Sequence, residues 1–168
     1  MRAVVVLIER PLSRTDAKRI VERYEGADQP TRYHLLIPVE DAASRVEATI
    51  GSLAASEVLG TSALYLGTQD LERIREEVKE ASRQALETSL TAMRSACLDA
   101  DGEVTAIDPL ERLEQLVAAK GASEVVILTR PHLVAQLLKV DWTSKAKKRL
   151  SVPCIHLLAQ DDRVPAPG

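Results

Sequence analysis

The run "RAVVVLIE" at residues 2–9 constrains the fold more than any other stretch. A strand with one wet face alternates apolar and polar residues, whereas this run is apolar on both sides. Such strands belong to parallel sheets covered by helices on both faces. The rest of the chain keeps the same alternation of elements. "SRTDAKRIVERYEG" reads as a helix capped by Ser13, with Asp16 three residues on and Gly26 as its stop. "RYHLLIPVE" at 32–40, "GEVTAI" at 102–107, "SEVVILT" at 123–129 and the closing "VPCIHLLA" read as four further strands. Between 69 and 97, Leu71, Ile74, Val78, Ala81, Ala85, Leu90, Met93 and Cys97 recur three or four apart, opposite Glu, Arg and Lys. That spacing predicts a long amphipathic helix with a solvated charged side. "DPLERLEQLVAAKG" carries Asp108 as cap, Pro109 in the first turn, Glu111 three after the cap and Gly121 as terminator. "WTSKAKKRL" is a last helix, and the segment from Asp41 to Thr68, with Val46, Ile50 and Leu53 at helical spacing, reads as a covering helix plus loop.

Strands alternating with helices form right-handed crossovers, so the expected fold is α/β: a doubly wound, five-stranded parallel sheet with helices on both faces. Composition agrees. The 168 residues suit a single domain over 1–160 with a polar tail at 161–168. Phe is absent and Trp occurs once, so the core is expected from Val, Leu, Ile and Ala. A formal charge of −3 with 28% charged residues argues against nucleic acid as a partner, and no apolar run is long enough for a membrane span. "MRAVVVLIER" is too short and too soon charged for a secretory signal, which makes the cytoplasm the expected compartment. Cys97 and Cys154 match neither a metal spacing nor a disulfide framework and read as reduced, partly buried thiols. No metal and no cofactor is expected.

In such sheets ligands bind beyond the carboxyl ends of the strands, where strand order reverses. Glu9, Glu40, Asp41 and Asp108 lie at the ends of the first three strands. Gathered in one crevice, they would repel a polyphosphate; read singly, Asp41 and Asp108 are helix caps and Glu40 is exposed. Arg10 in "ERPL" and Arg130 in "TRPH" follow the strands that flank the expected switch point. Two guanidiniums there could hold a small anion by forked hydrogen bonds, or each could pair with Glu9, Asp108 or solvent. Catalysis has little support. His132 sits in a loop without a serine elbow, a paired cysteine or an orienting acid at a recognised spacing, so an enzyme using His132 as acid or base is only an alternative. His34 and His156 fall in strands and read as satisfied core or edge residues. Lys145, Lys147, Lys148 and Arg149 suit the carboxyl end of a helix, and the wide basic face with stacking aromatics that nucleic acid needs is not visible.

Five strands, a long second helix, "PLERLEQLVAAKGASEVVILT" and the closing "SVPCIHLLA" together resemble the universal stress protein family over roughly residues 2–159. The resemblance implies a sheet of order 3-2-1-4-5. ATP-binding members hold phosphate and ribose with Gly, two residues, Gly, nine residues, Gly, then Ser or Thr. Aligned on the closing "PC", those places fall here on Thr129, His132, Trp142 and Thr143, so all three glycines are replaced. Glycine lets backbone N–H groups close on a phosphate without a Cβ in the way, and Pro131 removes one more donor. Trp142 is expected to fill the vacated region or cover the crevice mouth, the alternative being that it points outward to anchor a partner, and Thr143 is expected to serve as a cap. The resemblance therefore implies a stress or regulatory protein of the class that does not bind ATP, working through protein contacts. It also implies a homodimer through the last strand, Cys154, Ile155, His156, Leu157 and Leu158. The alternative reading is a binder of a small anion or nucleotide in the crevice of Glu9, Arg10, Thr129, Arg130, His132, Trp142 and Thr143.

Overall fold

The computed structural model describes residues 1–39, 68–96, 99–129 and 142–160. Among them are β1 (Arg2–Ile8), α1 (Arg14–Glu22), β2 (Thr31–Pro38), α2 (Thr68–Ser95), β3 (Asp99–Thr105), α3 (Pro109–Lys120), β4 (Glu124–Thr129), α4 (Trp142–Arg149) and β5 (Cys154–Leu158). The five strands form one sheet in the order β3-β2-β1-β4-β5, every pair parallel. This is the expected doubly wound order. Met1–Pro38 with Ala85–Gly168 forms one compact unit and Val39–Gln84 a second, α2 running from one into the other. Of the covering helix plus loop read from Asp41 to Thr68, only Thr68 is described, as the first residue of α2, and the tail at 161–168 lies outside the described residues.

Both faces of the sheet are buried, which is why β1 needs no polar alternation. On one face Val4, Val6, Ile8, Tyr33, Leu35 and Ile37 pack with Ala17 and Ile20 of α1 and with Leu90 and Met93 of α2. On the other, Val5, Leu7, Leu36, Val125 and Ile127 pack with Leu113, Leu116 and Val117 of α3 and Ala146 of α4. With no Phe available, the large rings in the core among the described residues are Tyr24 and Tyr33, which meet edge to face at 5.9 Å.

The capping signals of α3 are used as read. The Asp108 carboxylate accepts from the Leu110 and Glu111 N–H groups at 3.0 and 3.1 Å, and Gly121 ends the helix in a left-handed conformation with φ 60°. Asp108→Ala is expected to cost about 1 kcal/mol, read as a lower urea midpoint at unchanged slope.

Two boundaries differ from the sequence reading by more than two residues. The first helix ends at Glu22 rather than running to Gly26, because Arg23 to Gly26 form a turn that Gly26 closes at φ 82°. The third strand spans Asp99–Thr105 instead of 102–107, since pairing with Arg32 to Pro38 recruits the polar residues before Gly102. That three-residue shift brings Asp99 and Asp101 into the sheet.

Candidate functional site

At the carboxyl end of β1, Glu9 is exposed and Arg10 half-buried. The loop that follows is fastened from beneath: the Leu12 N–H donates to Ser89 Oγ at 2.8 Å, and that buried hydroxyl donates onward to the Ala85 carbonyl at 2.6 Å. A cleft of about 420 Å³ lies alongside, between this loop and α2, lined by Leu12, Arg14, Glu87, Thr88, Thr91 and Ser95 among others. At the end of β3, Thr105 is buried and its hydroxyl accepts from the Ile107 N–H at 3.3 Å. Asp108 spends its carboxylate on the start of α3, so of its two readings the cap holds.

Thr129 is the last residue of β4 and is 5% exposed. Its carbonyl accepts from the Ala159 N–H at 2.7 Å, and its hydroxyl shares a hydrogen bond of 2.6 Å with His156 Nε2. Both polar groups of Thr129 are thus turned toward β5, and His156 is satisfied as read. Arg130 and His132, like Glu40, Asp41 and Cys97, lie outside the described residues. Trp142 and Thr143 open α4, with side chains outside what the structure describes.

The carboxyl end of β5 is held by α1. Asp16, 1% exposed, accepts from the Gln160 N–H on both oxygens at 3.2 and 2.9 Å and from Arg19 at 2.8 Å. Arg19 donates in turn to the Leu158 carbonyl at 2.8 Å. Sequence reading took Asp16 only as a residue near a cap. Nothing local signals its second role, which depends on a residue 144 positions away.

A second cluster was also missed. His34 in β2 is paired across the ladder with Asp101, and its Nδ1 lies 2.5 Å from Asp101 Oδ1. On the other side of the ring, Nε2 faces Glu103 Oε2 at 3.5 Å and makes no hydrogen bond. The reading of His34 as a satisfied residue holds for Nδ1, while the buried Nε2 has only the Glu103 carboxylate at 3.5 Å, at the edge of bonding range. Arg112 of α3 grips Glu103 with its Nε and, at 3.0 Å, with Nη2, and Lys120 stands 3.6 Å from Asp101. The Arg112 guanidinium, more than the nearby imidazole, holds the Glu103 carboxyl below its ordinary range. Burial works to raise Asp101, yet the hydrogen bond and charge of His34, with Lys120, leave it lowered. The signal was the two-residue period of Asp99, Asp101 and Glu103, legible only once the strand begins at Asp99.

Among the described residues no three His, Cys, Asp or Glu side chains are placed to hold a metal ion, and no helix is long and apolar enough to cross a membrane. Cys154 is a free, half-buried thiol whose pKa burial pushes up.

No protein-family model and no curated protein sequence matches the chain. Solved structures do. A universal stress protein family protein from Arabidopsis thaliana with AMP bound superposes with a TM-score of 0.53 at 13% identity, over 99% of this chain and 97% of the other. A universal stress protein in complex with cAMP gives 0.55 at 11% identity, over 95% and 98%. The universal stress protein from Archaeoglobus fulgidus in complex with dAMP gives 0.51 at 9% identity, over 93% and 97%. With the strand order β3-β2-β1-β4-β5 and helices on both faces, the chain has the universal stress protein fold.

Proposed function

We propose that this chain is a universal-stress-protein-like regulatory protein of the class that does not bind ATP, acting as a pair of copies and through contacts with other proteins. One observation carries the reading. Thr129 ends β4 with a buried side chain locked to His156, at the place where the family resemblance puts the first phosphate-loop glycine. A phosphate held by backbone N–H groups needs that volume empty. The segment that follows supplies no replacement glycine, because none lies between Gly121 and Gly168.

Equilibrium dialysis with labelled ATP and Mg²⁺ is the direct test. The expected result is no retention at micromolar protein, and ATP carried through purification or a micromolar Kd would overturn the reading. AMP, dAMP and cAMP belong in the same experiment, because three structures of this fold hold them. They support the second reading, a nucleoside monophosphate in the crevice beside Arg10. At 100 times its Kd such a ligand would stabilise the fold by about 2.7 kcal/mol, a plain rise in melting temperature.

The two edges of the sheet favour pairing through β5. The β3 edge carries Asp99, Asp101 and Glu103, charges that disfavour the approach of another strand. β5 reads Cys-Ile-His-Leu-Leu, has no charged residue, and leaves Leu158 43% exposed.

A further inference from the structure

Among the described residues, the hydrogen bonds of β5 fix which of its backbone groups face away from β4. Val125 donates to the Pro153 carbonyl, and Ala159 donates to the Thr129 carbonyl. In a parallel ladder alternate residues point their N–H and C=O groups to the same side, so Ile155 and Leu157 also face β4. The groups of Cys154, His156, Leu158 and the Gln160 N–H face outward. α1 already holds the last of these, since Arg19 binds the Leu158 carbonyl and Asp16 the Gln160 N–H.

We infer that Asp16 and Arg19 set the register in which a second copy of this chain adds to β5, confining the new ladder to Cys154, His156 and Leu158. This rests on the pairing proposed above. An antiparallel β5 related by a two-fold axis at His156 exchanges both backbone bonds of His156 with its counterpart and sets Cys154 opposite Leu158 of the other copy. Every outward group of the strand then has a partner. The Leu158 carbonyl serves both Arg19 and the incoming Cys154 N–H, as its two lone pairs allow. A register centred on Leu158 would instead need the Gln160 N–H, which Asp16 covers with a buried carboxylate. The clamp lies outside the crevice, at the sheet edge. Charged groups brought onto a strand edge are a known means of limiting what pairs with it.

Disulfide trapping reads the register directly. Directly opposed residues of a hydrogen-bonded antiparallel pair stand about 5.5 Å apart at Cα, inside disulfide range. The two copies of Cys154 would be about 14 Å apart, four residues of strand, and could not join. With Cys97→Ser throughout, Leu158→Cys is expected to give a covalent dimer on mild oxidation through Cys154. The same variant with Cys154→Ser, and the parent with Cys154 alone, are expected to stay uncrosslinked. Asp16→Ala with Arg19→Ala then uncovers the edge, and Leu158→Cys with Cys154→Ser should gain a crosslink at least several-fold above background. Circular dichroism reports whether that clamp variant folds. If it does not, Asp16→Ala alone, which frees the Gln160 N–H, must still raise the yield, and an unchanged yield overturns the inference. Crosslinking through Cys154 alone, or none with Leu158→Cys in a chain that sediments as a dimer, overturns the register and leaves the pairing standing. A chain that sediments as a monomer at micromolar concentration removes the pairing and the register together.

Discussion

Gly102→Val is expected to destabilise the protein by about 3 kcal/mol, although valine is among the best strand formers and glycine among the worst. Propensity is overruled here by space. A Cβ on Gly102 would meet the Leu35 carbonyl oxygen at 2.8 Å, Leu86 Cδ1 at 2.8 Å and Leu35 Cβ at 3.0 Å. Leu86 can turn away, but the Leu35 carbonyl belongs to β2 and cannot move without disturbing its pairing with β3. The smaller Gly102→Ala should cost roughly half as much, and Leu86→Ala added to it should restore only part of the loss, since both contacts with Leu35, one of them backbone, would remain. Urea unfolding monitored by circular dichroism measures all three. A Gly102→Val protein as stable as its parent would show that β3 lies further from β2 than the structure places it.

The same glycine explains why the third strand was misplaced from the sequence. "DADG" looks like the end of a loop, because aspartate and glycine are turn residues, and nothing local says that a neighbouring strand requires the absence of a side chain. The two-sided apolar runs at β1 and β4 were legible, since a strand buried on both faces leaves a local signature that needs no knowledge of its partners. The caps of α1 and α3 were legible for the same reason: Ser13 and Asp108 bond to N–H groups three residues away or nearer. Strand order, and with it the place of the crevice, came from the family resemblance and from the rule that ligands sit at strand ends. The clamp of Asp16 and Arg19 and the cluster around His34 could not be read in that way. Each joins residues separated by more than sixty positions, and each depends on a pairing register that a one-residue slip would abolish.

Replacing both carboxylates beside His34, by Asp101→Asn with Glu103→Gln, is expected to lower stability at neutral pH by about 2 kcal/mol and to flatten its fall in acid. Glu103 carries the larger part, because it is gripped at two points by Arg112, while Asp101 is about half exposed and its pairs are weakened by solvent. The direction with pH follows from the two carboxyls. Both are held below their ordinary range in the folded protein, Glu103 chiefly by Arg112 and Asp101 by His34 and Lys120 against its burial. A group whose folded pKa lies below its unfolded one binds more protons unfolded, so the stability it adds is complete above the unfolded value of about 4. It is lost as pH drops through the lower, folded value. The melting temperature of the parent should therefore fall more steeply than that of the double variant between about pH 5 and pH 2, and the two curves should converge at the acid end. Arg112→Leu tests the assignment from the other side, since removing the guanidinium lets Glu103 titrate nearer its ordinary range and should remove most of the same difference. Parallel curves for the parent and the double variant would mean that His34, Arg112 and Lys120 do not hold these carboxylates in solution.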